Sequence, residues 1–197
     1  MRGRMPGRPK AWRTGKQPGG RMVRPILGAG AMALAMLAFP ARASEIEDRF
    51  LIMELMDRYG VAHDYGTPAD YADLFTADGE IGLPGGPVLV KGRAALEAQA
   101  VRDHERYRTA PAADGSTKFL MRHIVTNRVV ELTGADSAKG SSYVITMIDD
   151  GPGGARILSF ARYHDSYVRE GGRWLIARRD IELDFGDQEL AAKYGFR

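Results

Sequence analysis

The chain has no cysteine among its 197 residues, so no disulfide framework, thiol nucleophile or thiolate metal site is available to it. Acidic residues are missing altogether from residues 1–43, which instead carry nine Lys and Arg with many Gly and Pro. No apolar run reaches the roughly 20 residues a spanning helix needs. The longest, Ile26 to Phe39, is interrupted by Gly28 and Gly30. There is no Gly-x-Ser-x-Gly nucleophile motif, and the glycine pairs at 85–86 and 153–154 lack the strand–turn–helix setting of a phosphate loop. The four histidines, 63, 104, 123 and 164, show no zinc-ligand spacing, so no metal and no organic cofactor is expected.

What is present begins with an export signal. A basic segment, a short apolar run and then Ala41-Arg42-Ala43 before Ser44 follow the order of a secretory signal peptide over residues 1–43. The mature domain is then 44–197, periplasmic or extracellular, and the membrane is involved only before cleavage. Met22 would start a signal of more ordinary length, and no adjacent Arg pair points to the twin-arginine route. The alternative is an anchor that stays attached. Without residues 1–43 the chain has 19 basic against 25 acidic residues, a net charge of −6 where the full chain has +3. The basic character belongs to the signal, and a nucleic-acid partner is not supported.

The mature part reads as helices followed by strands. Ile46, Phe50, Ile52, Met53, Leu55, Met56 and Tyr59 recur three and four apart, which predicts an amphipathic helix from Glu45 to His63. A second helix starts after Thr67-Pro68 and carries Tyr71, Leu74 and Phe75; Thr76 to Gly79 reads as a turn. Two short strands flank Pro84 to Pro87, and a third helix runs from Arg93 to about Arg108, with the charge run 102–108 as its solvated face. Residues 109–117 have the composition of a loop. Strands are predicted near Phe119–Leu132, Ala138–Asp149, Arg156–Glu170 and Arg173–Phe185, with a last helical turn at Gln188–Tyr194. About three N-terminal helices packed on an antiparallel sheet make an α+β domain.

Strand parity nominates interior polar groups. His123 and Asn127 share a face with Phe119, Met121, Val125 and Val129. Arg179 shares one with Leu175, Ala177, Ile181 and Leu183, where it needs a buried carboxylate or an anionic ligand. Tyr163 and Asp165 lie on one face with Ile157, Ser159, Ala161 and Tyr167, and Asp64 ends the first helix beyond Tyr59. An aspartate and a histidine that meet in a pocket can hold and move a proton. Taken from the residues alone, Asp64 can equally cap a helix and His123 be a satisfied core histidine. Arg179 can pair structurally, with Asp64 as one option, and the tyrosines can be plain core.

The pieces Tyr59-x4-Asp64, Leu74-Phe75-Thr76-x-Asp78-Gly79, Gly92 before a helix, His123-x3-Asn127 and Tyr163-x-Asp165-x-Tyr167-x-Arg169-x2-Gly172-x-Trp174-x-Ile176-x2-Arg179 span almost the whole mature chain. In that order and spacing they resemble the SnoaL-like branch of the nuclear transport factor 2-like superfamily. The resemblance implies a cone, a curved antiparallel sheet wrapped by helices, and homodimerisation through the outer sheet face. It also implies a cofactor-independent lyase, hydratase or isomerase acting on a small, largely apolar molecule. His123 would be the base, Asp64 its orienting partner and Arg179 a stabilising cation. Tyr59, Tyr163 and Asn127 would bind substrate. A non-catalytic module that binds a small molecule or dimerises is the alternative on the same fold.

Overall fold

The computed structural model describes residues 40–195, with side chains from Ser44 onward. The expected export signal therefore lies outside the described side chains. The backbone of the first helix, α1 (Pro40–Tyr65), already includes Pro40, so the expected cleavage point before Ser44 falls in its first turn. Among the described residues no helix is long and apolar enough to cross a membrane.

The elements that follow are α2 (Pro68–Ala72), β1 (Phe75–Gly82), β2 (Val88–Lys91), α3 (Arg93–Arg106), β3 (Met121–Gly134), β4 (Ser137–Asp149), β5 (Ala155–Glu170), β6 (Arg173–Gly186) and α4 (Gln188–Lys193). One six-stranded sheet has the order β2-β1-β6-β5-β4-β3. The four long strands form an antiparallel meander, but β1 runs parallel to β6. The sheet is therefore mixed, where a purely antiparallel one was expected. The turn read at Thr76 to Gly79 is instead an excursion inside β1: Phe75 pairs with Ile176 and Glu80 with Arg178, so β1 spends extra residues between two contacts. Thr67 and Asp70 form a capping box that starts α2, which ends at Ala72, so Leu74 and Phe75 lie beyond it.

Ile52, Leu55, Met56 and Tyr59 of α1 are buried against the sheet with Tyr71, Phe75, Leu96, Tyr163, Tyr167 and Ile176. Ile46 and Phe50, expected on the same stripe, are 71% and 61% exposed. What anchors this first part of α1 is Asp48, which accepts hydrogen bonds from Trp174 Nε1 at 3.0 Å and Arg169 Nη2 at 2.5 Å.

Register shifts bend the sheet and invert strand parity. In β3 the shift lies between Thr126 and Val129, and Asn127 has φ of 52°, the left-handed region that asparagine tolerates better than most residues. Met121, His123 and Val125 face inward before the bulge, and Val130 and Leu132 after it. Val129, expected inside, is 62% exposed. In β6 Arg178 pairs with Ser166 but Ile176 with Tyr167, leaving Ala177 as the extra residue. Trp174 and Ile176 are thus buried before the bulge and Arg179 after it, in place of the expected Leu175 and Ala177; Leu183 is exposed. In β5 Ala161, Tyr163, Asp165 and Tyr167 are buried as expected, whereas Ile157 is exposed and Leu158 takes its place.

Replacing Asn127 by Val should cost about 1–2 kcal/mol, the penalty of a left-handed β-branched residue. Asn127→Gly should cost less. Chemical denaturation of the two variants checks the order.

Candidate acid–base site

As the last strand of the sheet, β3 has one edge without a strand partner, and α1 lies along that edge. Gly60 makes the close approach possible: a Cβ there would meet the His123 carbonyl oxygen at 3.1 Å. Arg128 ties the other end of the contact, donating from Nη1 to the Met53 carbonyl at 3.1 Å and pairing with Asp57. This brings Asp64, next to the last residue of α1, against the strand edge.

The Asp64 carboxylate accepts twice from one residue. Its Oδ2 takes the backbone N–H of His123 at 2.8 Å, and its Oδ1 lies 2.6 Å from His123 Nδ1. The contact satisfies an edge N–H and fixes the imidazole ring at once. The side chains are only 4% and 10% exposed. Both line a cavity of about 840 Å³ whose wall includes Val61, Tyr65, Leu120, Val125 and Ile148, with Lys118 and Arg122 among its polar groups. Nε2 of His123 is the nitrogen this arrangement leaves for a bound molecule.

Behind the pair stands His63, which sequence reasoning noted only to set aside a zinc site. Its ring packs edge-to-face on His123, with centroids 4.5 Å apart, and touches Tyr59 and Tyr71. Its Nε2 lies 3.3 Å from Asp103 Oδ2, its carbonyl faces His104 Nε2 at 2.8 Å, and its Nδ1 has no partner. Burial first, and then the charge of His123, push the His63 pKa below its ordinary value. Burial would raise Asp103, but the hydrogen bond and charge of His63, with the nearby Arg106, outweigh it and hold that carboxyl below its usual value. Asp103 and His104 belong to the charge run read as a solvated helix face; this side of α3 is packed instead.

Arg179 is fully buried away from Asp64. Its guanidinium grips Asp165 with Nε to Oδ1 at 2.8 Å and Nη2 to Oδ2 at 2.6 Å, while the Tyr167 hydroxyl donates to Oδ2 at 2.5 Å. Tyr59 and Tyr163, packed edge-to-face with centroids 5.6 Å apart, cover it on two adjoining sides, their ring centroids 3.9 and 4.1 Å from its Cζ. The possibility of an Asp64–Arg179 pair is thus replaced by Asp165–Arg179. Of the six nominated residues, Asp64 and His123 come together at the cavity. Tyr59, Tyr163 and Arg179 form a separate buried cluster linked to them through the His63 ring. Asn127 sits exposed at its bulge, outside the cavity wall. Asp165 shares the parity of Tyr163, which was the available signal for it. Asp103 had none, because its contact spans two helices.

A mixed sheet with four helices and a carboxylate–imidazole pair at a cavity defines the class, and the comparisons agree. The model of the SnoaL-like domain matches residues 44–180, and the chain belongs to that family. Among solved structures it is similar to Rv3472, a Mycobacterium tuberculosis protein of unknown function, at 25% identity over 81% of this chain and 91% of that one, with a TM-score of 0.66. It is also similar to an NTF2-like protein with a cystatin-like fold from Novosphingobium aromaticivorans, at 27% identity over 77% and 92%, TM-score 0.61. A proposed scytalone dehydratase from Novosphingobium aromaticivorans shares the fold at 19% identity over 74% and 90%, TM-score 0.59. No curated protein matches the chain.

Two measurements probe the site's supports. Arg179→Met leaves Asp165 buried without its partner and should lower stability by about 3–5 kcal/mol. Arg179→Met with Asp165→Leu should lower it less. For His63 the folded value lies below the ordinary 6.5, so the unfolded chain binds more protons as pH falls through that range. Its contribution to stability is complete above pH 6.5 and is lost as pH falls toward the folded value. Urea midpoints measured down from pH 7.5 should drop more steeply in the wild type than in His63→Phe.

Proposed function

We propose that this chain is an exported, cofactor-independent acid–base enzyme, a lyase, hydratase or isomerase, acting on a small and largely apolar molecule. The observation that carries the reading is the double contact of Asp64 with His123 at the wall of a cavity. His123 Nε2 takes a proton from a carbon activated by a neighbouring electron-withdrawing group. Asp64 keeps the proton of the other ring nitrogen on its own side and stabilises the imidazolium that forms. The same imidazole then returns the proton, to a leaving group in an elimination or to another carbon in an isomerisation. The apolar wall suits a substrate with little charge, and the likeness to a proposed dehydratase suits an elimination.

In this reading Arg179 acts through its field. The guanidinium is closed in by Tyr59, Tyr163 and Asp165, so its positive charge favours an anionic intermediate without touching it. Tyr59 and Tyr163 hold that charge in place. Export rests on the composition of residues 1–43. A homodimer would use the outer sheet face, where exposed Tyr143 and Phe185 lie beside the ion pairs of Arg162 with Glu182 and Asp184.

His123→Ala should lower turnover roughly 10²–10⁴-fold with an unchanged melting transition, and Asp64→Asn should follow it. The assay is proton–deuterium exchange and elimination, followed by NMR over a panel of small cyclic carbonyl and hydroxyl compounds. Undiminished activity in His123→Ala overturns the mechanism. Ligand binding without any turnover favours the non-catalytic module.

A further inference from the structure

The cluster behind the dyad has more donor atoms than proton transfer uses. A ring nitrogen of His63, a carboxylate oxygen of Asp64 and a ring nitrogen of His123 lie within 4.8 Å of one another. His63 is 6% exposed, and its Nδ1 is buried with no hydrogen-bond partner. An imidazole nitrogen in that condition is a lone pair without an electrophile, and leaving it so costs free energy. The other nitrogen of the same ring faces the Asp103 carboxylate at 3.3 Å. A carboxylate behind an imidazole fixes its tautomer and raises the basicity of the free nitrogen, the usual support of a metal-bound histidine.

We propose that His63, Asp64 and His123 form a binding site for a divalent transition-metal cation of the Zn²⁺ type, taken up in exchange for the proton that His123 and Asp64 share. Two imidazoles and one carboxylate suit such a cation, whereas Ca²⁺ and Mg²⁺ call for more oxygen ligands. Metal–ligand bonds of about 2.0–2.2 Å place tetrahedral ligand atoms about 3.3 Å apart. The 2.6 Å contact between Asp64 and His123 opens, and His63 closes on them from within 4.8 Å. His123 Nδ1 and Asp64 Oδ1 become ligands, their shared proton passes to the buffer, and His63 Nδ1 supplies the third bond. Charge balances locally, since the cation meets one carboxylate directly and that of Asp103 through His63. The fourth position faces the cavity that Asp64 and His123 line. Occupancy would remove the proton-transferring pair, a form of regulation that rests on the acid–base reading above, but binding itself does not.

Calorimetric titration of the full, untagged chain with Zn²⁺, and Co²⁺ uptake followed by its visible ligand-field absorption, read binding without any assay of activity. One cation per chain is expected. Asp103→Asn should weaken the affinity 10–100-fold, as loss of such a support does elsewhere. His63→Phe should abolish binding, and His164→Gln, at a half-buried imidazole paired with Glu182 and remote in sequence from the cluster, should leave it unchanged. The proposal is overturned by no saturable uptake at millimolar cation, by binding that persists in His63→Phe, or by binding that disappears in His164→Gln. If His63→Phe loses its cooperative melt, Asp103→Asn decides: an unchanged affinity there refutes the site.

Discussion

Everything at the candidate site depends on one carboxylate accepting two hydrogen bonds from one residue. Asp64 binds both the main chain and the ring of His123, so the geometry of the imidazole relative to the sheet is fixed by the fold itself. A side-chain contact alone would leave the ring free to turn with the strand. A main-chain contact alone would leave its tautomer open. The contact exists because β3 is an edge strand with outward N–H groups and because α1, narrowed at Gly60, can lie against that edge. The same interaction protects the edge from pairing with another chain and holds the His123 ring in place.

The second constraint is the burial of Arg179. An isolated guanidinium in the core would be prohibitive, and Asp165, Tyr167 and the faces of two tyrosines are what make it tolerable. These partners come from α1 and from β5, the strand beside the β6 that carries Arg179, so the ion pair ties two central strands and the Tyr59 ring fastens the helix to them. It sits one aromatic layer away from the dyad, with the His63 ring between them. The interior is therefore graded from a charged, rigid core, through the His63 imidazole, to the Asp64–His123 pair at the cavity.

Much of this was legible in the sequence. The helices, the four long strands and their turns follow from periodicity and from Gly and Asp clusters, and the pairing of Asp64 with His123 followed once the family pattern was recognised. What escaped has a common cause. Parity was extended through positions where a bulge resets it, so Val129, Ala177 and Ile157 were turned inward and Val130, Ile176 and Leu158 outward. A bulge in a long strand leaves only a weak local signature; the asparagine at 127 was one, read instead as a ligand contact. The parallel pairing of β1 with β6 and the Asp103–His63 contact are non-local, and residue patterns within one element carry no information about them.

The bulge at Asn127 divides β3 into two reading frames. Upstream, His123 and Val125 answer to the cavity; downstream, Val130 and Leu132 answer to the core under α1. Because the frames are joined at a single left-handed residue, the chemistry of the first half can drift without shifting the packing of the second. One strand can thus keep a constant foundation while its other end is respecified for a new ligand.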